Sequence, residues 1–129
     1  MNLGLSPGDK AALRRGVDPW EVRGFYGLLK QFPDSPEWIL ALVAPVVADI
    51  RTPTTKRIGT LARGVLSEKR MRRLLNSTDR EELIQQLRRV VAMCDREGNA
   101  QDIVDTVRYW GERARRQIAK DYFGGAEEE

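Results

Sequence analysis

Apolar residues recur three or four positions apart along almost the whole chain, and no segment of strand length alternates apolar with polar residues. That spacing restricts the 129 residues to helices packed on one another. Start and stop signals divide the pattern. Ser6-Pro7-Gly8-Asp9 predicts a helix ending at Gly16, with a serine cap, a proline in the first turn and an acid three residues on. Asp18-Pro19-Trp20-Glu21 repeats the arrangement and opens a helix running to Gln31, which Pro33 stops. Its apolar side takes Trp20 or Val22, then Phe25, Tyr26, Leu28, Leu29 and Phe32. Ser35-Pro36-Glu37 opens a third helix in which Trp38, Ile39, Leu42, Val43, Val46 and Val47 are apolar. It is expected at the centre of the core, kinked or shortened by Pro45.

Residues 51–57 (RTPTTKR) are polar, contain proline and carry no apolar anchor, so they read as a central loop. The loop joins an N-terminal part, 1–50, to a C-terminal helical part, 58–123, of one domain spanning 1–123; an acidic tail, 124–129, follows. A short helical piece is expected from about residue 58 to 64. Ser67 with Glu68 caps a helix to Leu75, and Thr78 with Glu81 forms a capping box for a helix to about Cys94. Asn99 with Asp102 opens the last helix, whose seam is Ile103, Val107, Trp110, Ala114 and Ile118. The expected fold is all-α, a compact helical bundle of about six helices with a polar central loop and no strands. Trp20, Trp38, Trp110 and Cys94 are assigned to the core. Tyr109 points off its seam, and packing under a neighbouring helix is preferred there to a stacking platform or a protein interface.

The chain contains no histidine and one cysteine. The commonest general base and metal ligand is therefore missing, and neither an internal disulfide nor a cysteine-based zinc site can form. No cofactor, metal or catalytic residue is expected, and the reading is non-enzymatic. The longest apolar run, residues 38–48, is too short to span a bilayer and includes Pro45. No basic region followed by an apolar core opens the chain, so no secretory signal is expected, and the location is read as cytoplasmic.

Charge is distributed unevenly. Residues 56–89 hold ten basic and four acidic residues, whereas residues 1–55 are balanced and residues 90–129 carry three more acids than bases. A basic middle between neutral and acidic flanks fits a phosphate-contacting surface. On the Ser67 helix Arg70 and Arg73 are three apart, and Lys69 and Arg73 four apart. Like charges at that spacing cost about 0.2–0.5 kcal/mol per pair, which a nucleic-acid backbone would offset. Lys56 and Arg57 in the loop have no local structural role to explain them, and Arg63 lies within the same basic stretch. Arg88 and Arg89 form a second basic spot: Arg88 can cover apolar surface with its stem, while Arg89 falls away from the apolar stripe. Arg14 and Arg15 end the first helix, where favourable interaction with the helix dipole competes with ligand contact.

Four stretches carry a resemblance to a known family. They are residues 8–15 (GDKAALRR), Phe25-Tyr26 with Leu28-Leu29, residues 68–90 (EKRMRRLLNSTDREELIQQLRRV), and Tyr109-Trp110-Gly111 followed by Arg113, Arg115, Arg116 and Gln117. In that order and spacing the chain resembles the CasB family, the small subunit of the type I-E CRISPR Cascade complex. The resemblance implies a non-catalytic helical subunit of an RNA-guided DNA surveillance complex. The implied partners are the guide RNA, the target and displaced DNA strands, the backbone and large subunits and a second copy of the chain; no membrane is involved. Residue by residue, it implies that Arg15, Arg70, Arg89, Lys56 or Arg57, and Arg113 stabilise the R-loop. The nucleic-acid-binding set is thus Arg15, Lys56, Arg57, Arg63, Arg70, Arg73, Arg89 and Arg113. The chain departs from the family in its compressed loop around residues 52–59 and in Glu112, where a basic residue is common. Two other readings remain open. Residues 61–73, with Gly64 in the turn, also suit a helix-turn-helix regulator of duplex DNA. A scaffold whose basic face docks an acidic protein is the third.

Overall fold

The computed structural model describes residues 3–124. Its organising element is the helix that the sequence marks as apolar on nearly every side, α3 (Glu37–Asp49). The helices α1 (Pro7–Arg14), α2 (Arg23–Gln31), α6 (Arg80–Met93) and α7 (Ala100–Arg108) pack around it. Leu13, Phe25, Leu28, Leu83, Leu87 and Ile103 meet Ile39, Leu40, Val43 and Val46 in one buried cluster. Pro45 does not shorten α3, which runs four residues beyond it. The remaining helices are α4 (Ile58–Ala62), α5 (Glu68–Leu75) and α8 (Glu112–Ala119), the last leading into a π turn, Lys120–Gly124. α4 lies on α8 and that turn, while α5 packs on α6 and α8.

The chain is mostly helical, as its periodicity requires, with eight α-helices among the described residues. One of those beyond the expected six or so arises where the last expected helix is broken in two, whereas the second is only shortened at its start. Asp18 caps only a three-residue 3-10 turn, Pro19–Glu21, and the chain is extended at Val22 before α2 begins. The last helix breaks at Tyr109-Trp110-Gly111, where long-range bonds replace helical ones. The Arg80 guanidinium donates to the carbonyls of Val107 and Arg108 at 2.8 and 3.1 Å, and the Trp110 indole donates to the Ser77 carbonyl at 3.0 Å. The caps at Ser6, Ser67 and Asn99 form as expected. The capping box at Thr78 is displaced by one residue: Asp79 accepts from the Glu82 N–H at 2.7 Å, and Thr78 donates to the Glu82 carboxylate. The acidic tail lies, beyond Gly124, outside the described residues.

Two short strands correct the expectation of none. β1 (Thr52–Pro53) pairs in parallel with β2 (Glu97–Gly98), Thr52 opposite Glu97. The central loop is therefore anchored through its backbone, with the N–H groups of Arg51 and Thr52 donating to the Arg96 carbonyl. Two tryptophans assigned to the core lie at the surface. Trp38 is 58% exposed beneath the Arg80 guanidinium, and Trp20 stands edge-on to Phe25. Trp110 is half-buried and Cys94 buried.

Two buried carboxylates tie the layers together. Asp49, 4% exposed at the end of α3, binds Arg88 at 2.9 Å and Arg96 at 3.4 Å. Asp121 receives Arg57 and Gln117. Beside it, Gly59 lets α4 approach α8 closely: a Cβ there would stand 2.5 Å from the Ile118 carbonyl oxygen and 2.7 Å from the Asp121 Cβ. Gly59→Ala is expected to destabilise the chain by about 1–3 kcal/mol through overpacking, read from urea unfolding. Asp49→Ala is expected to cost about 2–3 kcal/mol in the same assay, because two partly buried guanidinium groups lose their carboxylate.

Candidate nucleic-acid interface

The fold divides the ten basic residues of 56–89 into two groups. Several are committed to structure. Arg57 forms a two-pronged pair with Asp121, Nε to Oδ2 and Nη2 to Oδ1, both 2.8 Å. This corrects the expectation that it has no structural role. Arg80 holds the end of α7, and Arg88, rather than merely covering apolar surface, binds Asp49. Arg63 is half-buried where α4 ends, beside Gly64 (φ 80°), and is engaged with the rest of the fold. Arg72 faces Glu68 at 3.6 Å in an exposed pair that contributes little.

The second group is Lys56, Lys69, Arg70, Arg73 and Arg89, all exposed and with no described carboxylate within 4.0 Å. α5 buries Met71 and Leu74, which fixes its rotation. Arg70 and Arg73 then meet Arg89 and Gln86 of α6 around a depression floored by Leu66 and Val90. Arg89 also borders a larger depression of about 450 Å³, where Arg14, Arg88 and Arg96 surround Asp49. The two depressions share Arg89 and form one basic track. Arg88 donates to the Arg14 carbonyl at 3.3 Å, which brings the end of α1, with exposed Arg15, to the same track. Arg14, weighed with Arg15 for ligand contact, lies outside the binding set named from the sequence, and Arg96 is not among the candidates. Arg96 gives no sequence signal, since its place depends on a left-handed turn (φ 63°) and on distant Asp49.

Arg113 lies apart from the track. With Arg57 and Tyr109 it borders a cleft of about 450 Å³ between α7 and α8, closed by the start of α4. Tyr109 does not pack under a helix: it is 62% exposed, with the Arg108 guanidinium 4.9 Å from its ring centre. Asp102 on the cleft wall accepts the Ile58 N–H at 2.8 Å, and burial pushes its carboxyl pKa up. Exposed Lys56 adjoins Arg57 in the chain. Among the described residues no group of three histidine, cysteine or acidic side chains could hold a metal ion, and no helix is long and apolar enough to cross a membrane.

The profile of the family described as CRISPR-associated protein Cse2 matches residues 9–123. The chain belongs to the Cse2 family. Cse2 is CasB, the small subunit of type I-E Cascade, so the family expected from the four sequence stretches is the right one. The fold is also that of a chain in the crystal structure of E. coli Cascade bound to a PAM-containing double-stranded DNA target. The TM-score is 0.70 at 23% identity, over 98% of this chain and 92% of that one. No curated protein matches the chain by sequence.

The raised Asp102 pKa has a stability signature. A carboxyl whose pKa is higher in the folded than in the unfolded chain contributes stability below its unfolded pKa and loses it as pH rises through the folded value. Wild type should therefore lose stability relative to Asp102→Asn as pH rises above about 4, the ordinary aspartate value, measured by urea unfolding at a series of pH values.

Proposed function

We propose that this Cse2-family chain is a non-catalytic subunit of a type I-E Cascade. Its basic track lies along single-stranded nucleic acid and holds the target-strand path and displaced strand of the R-loop. The observation that carries the reading is the convergence of Arg70, Arg73 and Arg89 with no neutralising carboxylate among the described residues. Three guanidinium groups brought together from α5 and α6 repel one another, and phosphates relieve that repulsion while releasing counterions. Exchange of a DNA duplex for an RNA–DNA heteroduplex is nearly balanced, so a few backbone contacts can decide whether the opened strand reanneals. Arg14, Arg15 and Arg96 extend the track, and Arg113 with Lys56 forms a separate point of contact. The partners in this reading are the guide RNA, the target and displaced strands, the backbone and large subunits and a second copy of the chain.

The test is a complex reconstituted with the Arg70→Ala, Arg73→Ala, Arg89→Ala triple variant. R-loop lifetime should fall about tenfold, equivalent to ~1.4 kcal/mol. Its logarithmic salt dependence should become shallower by about two, at roughly 0.7 for each lost contact to a single strand. The isolated variant should unfold within about 0.5 kcal/mol of wild type, because these side chains support no buried group. An unchanged R-loop lifetime overturns the reading. Preference of the isolated chain for one duplex sequence would instead favour the helix-turn-helix regulator, whose turn glycine, Gly64, is present with φ 80°.

A further inference from the structure

The α7–α8 cleft differs in kind from the basic track. One wall is a stripe of α7, where Asp102, Asp105 or Thr106, and Tyr109 follow one another at single-turn intervals. The facing wall is a stripe of α8 and its extension, Arg113, Gln117 and Asp121, with Ile58 and Ile118 as apolar lining. The break at Tyr109-Trp110-Gly111 opens the space, and Gly59 seats α4 against its inner end.

Three features of this cleft point to one ligand class. Tyr109 lines the cleft and is 62% exposed, so ring surface is open to a ligand there even with the Arg108 guanidinium, which is not part of the wall, 4.9 Å from the ring centre. The Asp102 carboxylate has one oxygen, Oδ2, bound to the Ile58 N–H, and Oδ1 has no hydrogen-bond partner among the described residues. Arg113 stands exposed at the edge, free of any carboxylate among the described residues. A flat aromatic face, an open acceptor and a cation together suit a planar ring that carries hydrogen-bond donors and is joined to a phosphate.

We propose that this cleft is the seat of one unpaired nucleobase, with guanine preferred. The base stacks on Tyr109, presents its Watson–Crick edge to Asp102, and leaves its phosphate to Arg113. Guanine offers two adjacent N–H donors on that edge, one for Oδ1 and one for the lone pair of Oδ2 that the Ile58 N–H leaves over. Adenine and cytosine place a ring acceptor beside their single amino donor, and thymine flanks its N–H with two carbonyls, so each of the three sets a lone pair against the carboxylate. The cleft volume of about 450 Å³ lies within the ordinary ligand-pocket range of about 300–1,000 Å³. A partner protein's arginine is the competing occupant, since it too could meet Tyr109 and Asp102. Arg108 already lies against the ring, and exposed Arg113, with no carboxylate partner among the described residues, suits a phosphate that an arginine side chain does not bring. Burial of Asp102, which raises its pKa, makes an added N–H donor there more favourable than it would be on an exposed carboxylate.

The proposal rests on the nucleic-acid reading above but locates to different residues, so the two can fail separately. The full chain is titrated with the trinucleotides dTdGdT and dTdTdT and followed by amide NMR. The expected result is shifts at Ile58, Asp102, Tyr109 and Arg113, with dTdGdT binding at least about fivefold tighter. That margin is modest beside the ~1–3 kcal/mol of a good bidentate base contact. Asp102→Asn keeps an acceptor for the Ile58 N–H and should abolish the guanine preference. Tyr109→Leu should weaken both trinucleotides about fivefold or more, the low end of base stacking at ~1–3 kcal/mol. Shifts confined to Arg70, Arg73 and Arg89 keep the track and overturn the base seat. Equal affinity for the two trinucleotides, or no shift at either region, also overturns it. A cleft that answers to an arginine-bearing tripeptide and to neither trinucleotide is a protein-docking site, which overturns it as well.

Discussion

The carboxylate of Asp49 governs the arrangement of the rest. It ends the central helix, where the helix dipole disfavours negative charge, and it is almost fully buried. A carboxylate in such a place persists only when paired, and Arg88 and Arg96 supply the pairing. The consequences spread outward. Arg88 turned toward Asp49 fixes the rotation of α6 and leaves adjacent Arg89 at the surface, beside Arg70 and Arg73. Arg96 reaches the same carboxylate from a turn in which it and Asp95 are left-handed, at φ 63° and 54°. That conformation is uncommon for residues other than glycine, and here tertiary bonds maintain it. The turn directs the chain into β2, whose pairing with β1 anchors the central loop.

Asp121 does the same at the other end of the C-terminal layer. Its two oxygens take the guanidinium fork of Arg57, a geometry that lysine cannot reproduce. Each buried acid thus takes one arginine from the basic stretch, Arg88 for Asp49 and Arg57 for Asp121. The excess positive charge of residues 56–89 has two physical origins: one part neutralises acids placed elsewhere in the chain, and the other is left at the surface. A count of charges along the sequence merges the two.

That distinction explains what could be read before the fold was known. Helix type and most starts depend on residues within one or two turns, so the caps at Ser6, Ser67 and Asn99 and the central place of α3 were legible. The clustering of Arg70 with Arg73 was legible for the same reason, since both lie on one helix whose apolar side is plain. The misreadings share a dependence on distant partners. Trp38 looked like core because its helix is apolar, yet it lies at the surface under Arg80, more than forty residues later in the chain. The last helix looked continuous because its seam keeps one period through Trp110. Bonds from Trp110 and Arg115 to the Ser77 carbonyl, both 3.0 Å, and from Arg80 to the end of α7 hold it broken. Arg57 looked uncommitted because Asp121 is sixty-four residues away.

The same division separates the two candidate contact regions by their physics. Along the track, Arg70, Arg73 and Arg89 reach into water with no carboxylate partner among the described residues, so attraction to phosphates there is long-ranged, indifferent to sequence and weakened by salt. In the α7–α8 cleft the cations are partly spent: Arg57 is held by Asp121, and Asp102 and Asp105 bring negative charge to the same wall. Little net field remains to draw a phosphate from a distance. What the cleft offers acts only at contact, through a ring face and a partly desolvated acceptor, and short-range terms of that kind are screened little by salt. A strand crossing this surface would be captured by the first region and could be discriminated only by the second. The break between α7 and α8 separates the two kinds of contact, and it depends on Arg80 bonding the end of α7 rather than a phosphate.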